Sequence, residues 1–155
     1  MTNEFADLRA NYFTLPRVGG GIPEPLNPNE PWGVIMEIGY PQATVTTVAF
    51  SDGTASVLRS SGGGFFGGGD DRVQGAAREF LKYARLVQPL MTRTGEFPGP
   101  DPGQIVFYAR ADTGVYAISA PEAEVSVPGS PMFPIYFAGL GVLHEYLRLQ
   151  QRTRQ

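Results

Sequence analysis

Residues 33–60 read "GVIMEIGYPQATVTTVAFSDGTASVLRS", three runs rich in β-branched residues separated by two short turn signals. Each run is seven or eight residues long, the length of a strand rather than a helix. Ser51-Asp52-Gly53 is a hairpin signal, because glycine supplies the positive φ that a tight turn needs. Tyr40-Pro41-Gln42 turns the first pair. Three consecutive antiparallel strands exclude a doubly wound parallel sheet as the first choice, and the rest of the chain is organised around this meander.

After it comes "DRVQGAAREFLKYARLVQ" (71–88), the strongest helix signal in the chain. Val73, Ala76, Ala77, Phe80, Ala84 and Val87 form one stripe, with Arg78, Lys82 and Arg85 opposite, and Pro89 ends it. A loop, "TRTGEFPGPDPGQ", leads to "IVFYARA" and "GVYAISA", joined as a hairpin by Asp112-Thr113-Gly114, and "EAEVSV" adds a short edge strand. Ser130-Pro131 opens a last helix, "PMFPIYFAGLGVLHEYLRLQQ". At the other end, "TNEFADLRANYF" forms a first helix with Phe5, Leu8 and Tyr12 at helical spacing. A Pro/Gly-rich connector at about 16–32 follows it. The expectation is one α+β domain over 1–155: a single antiparallel sheet of five to six strands flanked by about three helices.

That element order resembles the roadblock and profilin-like folds. The resemblance implies a small binding or regulatory protein that dimerises. More locally, "PWGVIMEIGYP" followed by "SSGGGFFGGGDD" is similar to a signature of small bacterial one-domain proteins, which implies one domain and no particular activity.

Composition excludes several function classes. The 155 residues are 42% apolar and 17% charged, as in a globular protein with its own core. A net charge of -3 argues against a nucleic-acid face. No cysteine is present, which excludes thiolate nucleophiles and Cys-based metal sites. No stretch approaches the about 20 apolar residues of a membrane span, and the N-terminus has no signal-peptide pattern, so a cytoplasmic location is expected.

The glycine stretch "SSGGGFFGGGDD" (60–71) raises the sharpest functional question. Gly62, Gly64 and Gly67 fit G-x-G-x-x-G, but no βαβ unit surrounds them and no Lys-Ser or Lys-Thr follows. Asp70 and Asp71 stand where the next helix begins, so their carboxylates satisfy its free amides and repel a phosphate. No cofactor is expected. Phe65 and Phe66, framed by Gly64 and Gly67, either plug the core of their own domain or form a lid or partner-contact tip.

Four residues are candidates for chemistry. Glu37 lies in an apolar strand, sharing a face with Ile35 while Val34, Met36 and Ile38 share the other. It is either solvent-facing, or buried beside Arg59 or Arg110 and then a general base. Ser60 and Ser61 are nucleophile candidates by placement only, since no G-x-S-x-G exists. His144, the one histidine, falls on the last helix among Phe133, Phe137, Leu140 and Leu147, the pattern of a hydrogen-bonded interior residue. No metal-ligand spacing appears among the carboxylates. On the same helix Ile135, Val142 and Tyr146 lie off that stripe and suit a second contact surface.

The residues therefore point to a non-catalytic binding or regulatory domain acting by protein–protein contact as a homodimer. The alternative is a small ligand-binding protein or enzyme whose pocket is covered by the loop 60–71.

Overall fold

The structure is a computed structural model that describes residues 4–67 and 70–153, without the side chains of 65–67 and 152–153. The elements run α1 (Glu4–Thr14), β1 (Gly33–Gly39), β2 (Thr44–Phe50), β3 (Ala55–Arg59), β4 (Gly64–Gly67), α2 (Asp71–Val87), β5 (Thr92–Thr94), β6 (Gln104–Ala111), β7 (Gly114–Pro121), α3 (Glu122–Val125) and α4 (Phe133–Thr153). The strands form one sheet in the order β4-β3-β2-β1-β6-β7-β5, with every neighbouring pair antiparallel. The α+β architecture with a single antiparallel sheet is the expected one.

The sheet grows outward from the meander because each turn closes locally. Gly53 donates to Phe50 O at 3.0 Å, and Asp52 Oδ1 accepts from Thr54 N at 3.0 Å. Two short edge strands extend the sheet beyond the five long ones. The glycine stretch itself supplies β4, and the Thr92–Thr94 segment of the second loop supplies β5. Residues 122–125, expected as an edge strand, form the short helix α3 instead, since their alternation is too brief to hold a register against β7.

Both faces of the sheet are covered. On one, Val34, Met36 and Ile38 of β1 and Ile105, Phe107 and Ala109 of β6 meet Ala77, Phe80, Leu81 and Ala84 of α2 and Ile135, Ala138 and Val142 of α4. Fully buried side chains of that size contribute roughly 1.5–3 kcal/mol each relative to exposure, so this layer is the larger source of stability. On the other face, Ile35, Val48 and Tyr108 are covered by Phe13 of α1 and by the 95–101 loop through Phe97. All seven residues of β1 are therefore buried.

The two long helices are antiparallel. Asp70 caps α2, accepting from Arg72 N at 2.8 Å and Val73 N at 3.2 Å. Arg148, in the last turns of α4, reaches the same carboxylate at 3.1 Å. The guanidinium first, and the capping amides after it, hold the Asp70 carboxyl below its usual range.

Gly39, at the end of β1, sets how closely the second layer sits. A Cβ there would lie 2.1 Å from Asp101 O, and Gly39 O accepts from Gly103 N at 2.8 Å. Gly39→Ala therefore forces backbone apart from backbone and destabilises the fold by about 3 kcal/mol, the upper range for overpacking. Chemical denaturation measures it; a cost of under about 0.5 kcal/mol, the range of a neutral surface change, means that this contact does not set the layer.

Candidate functional site

Glu37 is the pivot of the second face. It is 0% exposed, not solvent-facing, because α1 and the 95–101 loop lie over a sheet face that strand alternation alone leaves open. Its partner is neither Arg59 nor Arg110. Arg9 of α1 grips it in a fork: Nε donates to Oε2 and Nη2 to Oε1, both at 2.7 Å. Thr46 Oγ1, on the adjacent strand, donates to Oε2 at 2.7 Å. Arg9 Nη2 also donates to Phe97 O at 2.7 Å, and the guanidinium lies 4.8 Å over the Phe13 ring.

One guanidinium thus joins α1, the central strand and the loop that roofs them. Stacked Phe13 and Phe97, 4.5 Å apart, and Tyr108, edge-on to Phe13 at 4.8 Å, enclose the pair in aromatic walls. A buried pair holds only when its remaining hydrogen-bond capacity is filled, and here Thr46 and the Phe97 carbonyl fill it. With both carboxylate oxygens engaged and no exposed atom, Glu37 is a structural clamp, not a base open to substrate. Arg59, at the exposed end of β3, is outside this layer. Arg110 shares the face but pairs in register with Gly33, while Glu37 pairs with Val106. Four strand residues, about 13 Å, separate them.

The other candidates are elsewhere. Ser60 Oγ accepts from Thr44 N at 2.8 Å, and Ser60 N donates to Thr44 O at 2.9 Å, which ends the β2–β3 pairing. Ser61 is exposed in the turn that follows. His144 is exposed on the outer face of α4, on the opposite side of the sheet from Glu37. The chain therefore does not bring Glu37 and His144 to one site.

The glycine stretch is a hairpin rather than an open loop. Gly62 and Gly63 take φ of 113° and 89°, values that only glycine adopts readily, and Gly64–Gly67 then pairs back onto Ala55–Leu58. In register, Phe65 lies opposite Val57 and Phe66 opposite Ser56; the direction of their side chains lies outside the described residues, as do Gly68 and Gly69. The turn forms one wall of an open cleft of about 460 Å³, with Glu4, Phe5 and Leu8 of α1 as the other. Asp70 already accepts from the Arg72 and Val73 amides at the start of α2, where an anion would otherwise sit.

The last helix is turned over relative to the sequence reading. Ile135, Val142 and Tyr146 are 0%, 2% and 4% exposed and face the sheet. Phe137 and Leu147, assigned to the inner stripe, are 66% and 48% exposed. Both faces of α4 are apolar, so periodicity identified two stripes without saying which one the sheet takes. Among the described residues, no group of three or more His, Asp or Glu side chains could hold a metal ion. No described helix is long and apolar enough to cross a membrane.

Sequence reasoning missed Arg9. The available signal was the row Phe5, Arg9, Phe13 at i, i+4, i+8, which puts a cation between two aromatic rings on one face of α1.

Burial first, and the Glu37 carboxylate after it, push the Tyr108 phenol up to about 12. Its folded pKa is above the unfolded value of about 10, so the unfolded chain loses this proton first. Stability therefore falls as pH rises from about 10 to about 12, by up to about 1.4 kcal/mol per pH unit for this group. Tyr108→Phe flattens that alkaline limb; equal slopes in the two proteins contradict the assignment. Comparison of the chain with family models, with curated proteins and with solved structures finds no match.

Proposed function

We propose that this chain is a non-catalytic binding module that works by protein–protein contact and pairs with a second copy of itself through the outer face of α4. The observation that carries this reading is the spacing along that face. Phe133, Phe137, Leu140, His144 and Leu147 recur at steps of 4, 3, 4 and 3 residues. That is the 3.5-residue period of a helix seam built to interdigitate with another helix. Over fifteen residues the seam is about 20 Å long.

Phe137, His144 and Leu147 are the exposed members, and Phe133 and Phe137 lie 5.8 Å apart ring to ring. An identical helix is the partner of matching period, and a two-fold axis puts the same patch on both sides. Gly75 and Ala76 of α2, with Gly141 of α4, line a shallow groove beside the seam and leave room for a close-approaching partner side chain. His144 stands at one of the two seam positions that recur with Phe137, where a polar residue fixes register at some cost in stability.

A second reading, a ligand pocket beneath the glycine-rich turn, has the cleft between α1 and residues 58–64 in its favour. Its polar side chains, Glu4, Arg59, Ser60 and Ser61, are all exposed, so the cleft has little means of holding a small molecule away from water.

Sedimentation velocity at about 10 μM tests the first reading, since a standard interface holds at micromolar concentration. A dimer is expected, and Phe137→Glu, at an exposed position, shifts it to monomer without lowering the helix content. A wild-type chain that remains monomeric at about 100 μM overturns the pairing.

A further inference from the structure

We propose that the cavity between the end of α1 and the β2–β3 hairpin binds a small organic monoanion, a carboxylate on a flat apolar body, with the Arg110 guanidinium as its counter-ion. The cavity has a volume of about 300 Å³ and is walled by Tyr12, Leu15, Ile22, Trp32 and Phe50, with Arg110 among them. Trp32 and Phe50 are stacked at 6.2 Å, and Tyr12 and Phe50 lie 6.3 Å apart. A volume of this size, apolar walls and one charged group are the features of a small-ligand site.

Arg110 is the anomaly. It is 8% exposed, its guanidinium lies 4.5 Å over the Trp32 ring, and Nη1 donates to Tyr12 O at 2.8 Å. Those contacts orient the group without neutralising it. Of the nearby carboxylates, Asp112 is engaged by Arg17 at 3.0 and 2.9 Å. Asp52, in the cavity wall, accepts from Thr54 N and Oγ1. Among the described residues no carboxylate makes an ion pair with Arg110, and burial alone pulls it down to about 10, still cationic at neutral pH. Glu37, the other buried charged residue among the described ones, is paired, and an unpaired one marks a place where a counter-ion is missing.

Two further polar atoms in the same walls, Tyr12 Oη and Trp32 Nε1, are buried without a hydrogen bond of good geometry. Burial raises the Tyr12 phenol, with the nearby Ser56 hydroxyl opposing it, and Arg17 first, with Trp32 a lesser contributor, holds the Asp112 carboxyl below its usual range. One guanidinium faces the Asp52 carboxylate across the apolar walls, which favours a singly charged ligand over a phosphate dianion. The Arg17–Asp112 ion pair anchors the segment from which Gly20 and Ile22 line the cavity.

Trp32 is the one tryptophan, so its fluorescence reports this cavity directly. Phenylacetate is the probe and phenylacetamide its neutral counterpart of the same shape. Phenylacetate is expected to change the emission saturably with a millimolar Kd, and phenylacetamide to bind about tenfold more weakly or less. Arg110→Met abolishes the phenylacetate response while keeping or raising the melting temperature, because an unpaired buried cation is removed. Should that variant fail to fold, Leu15→Glu decides, at a rim position 57% exposed, by weakening phenylacetate several-fold through repulsion. Equal affinity for the two probes, no saturation by about 10 mM, or a response unchanged in whichever variant folds overturns the proposal.

Discussion

The Arg9–Glu37 pair is the interaction on which the second layer depends. A carboxylate in the central strand of a sheet covered on both faces costs several kcal/mol unless it is matched in full. Here the match comes from 28 residues away in sequence, at 2.7 Å through two guanidinium nitrogens. The consequence is architectural. A helix with a single fully buried side chain, Phe13, has little apolar area with which to hold its place. The charge gives it a fixed position, the cation–π contact with Phe13 orients the guanidinium, and the Phe97 carbonyl extends the anchor to the roof loop. Gly39 and the aromatic cluster then let that roof sit directly on the backbone.

The two faces of the sheet consequently have different characters. The α2/α4 face is held by area: large aliphatic and aromatic side chains are buried there, together with Thr47, which pairs in register with Met36. The α1 face is held by a few directed contacts, the buried Arg9–Glu37 pair and most of the described aromatic contacts among them. The unpaired Arg110 and the cavity near it belong to this second face, whereas the apolar seam of α4 looks out from the first. The proposed surface for a second copy and the proposed anion cavity thus lie on opposite sides of the sheet.

Much of the frame was legible from the sequence because it rests on local rules. The meander of residues 33–60 follows from β-branched runs and an Asp-Gly turn, and the capped start of α2 follows from Asp70. What was not legible depends on distance. Nothing in the pattern of "GVIMEIG" says whether its second face meets water or a helix, so Glu37 reads first as solvent-facing, with burial beside an arginine as the alternative. Arg9 was hidden because a lone arginine in a short, mostly polar helix has the pattern of solvated surface. The last helix was assigned its faces the wrong way round for a related reason: Phe137 and Ile135 are equally apolar, and only the position of the sheet decides which is inside. The glycine stretch was read as a loop because six glycines have weak strand propensity, yet β3 supplies a ladder that overrides it.

A double-mutant cycle on Arg9→Met and Glu37→Gln tests the claim that this pair is a clamp most directly, by equilibrium denaturation of the two single variants and the double. Each single change leaves a buried polar or charged group without its partner and is expected to cost about 3 kcal/mol. The double variant is expected to cost far less than the sum, with a coupling of about 2 kcal/mol or more. Costs that add to within about 0.5 kcal/mol contradict the account, because two side chains that do not act on each other cannot be what holds the second layer in place.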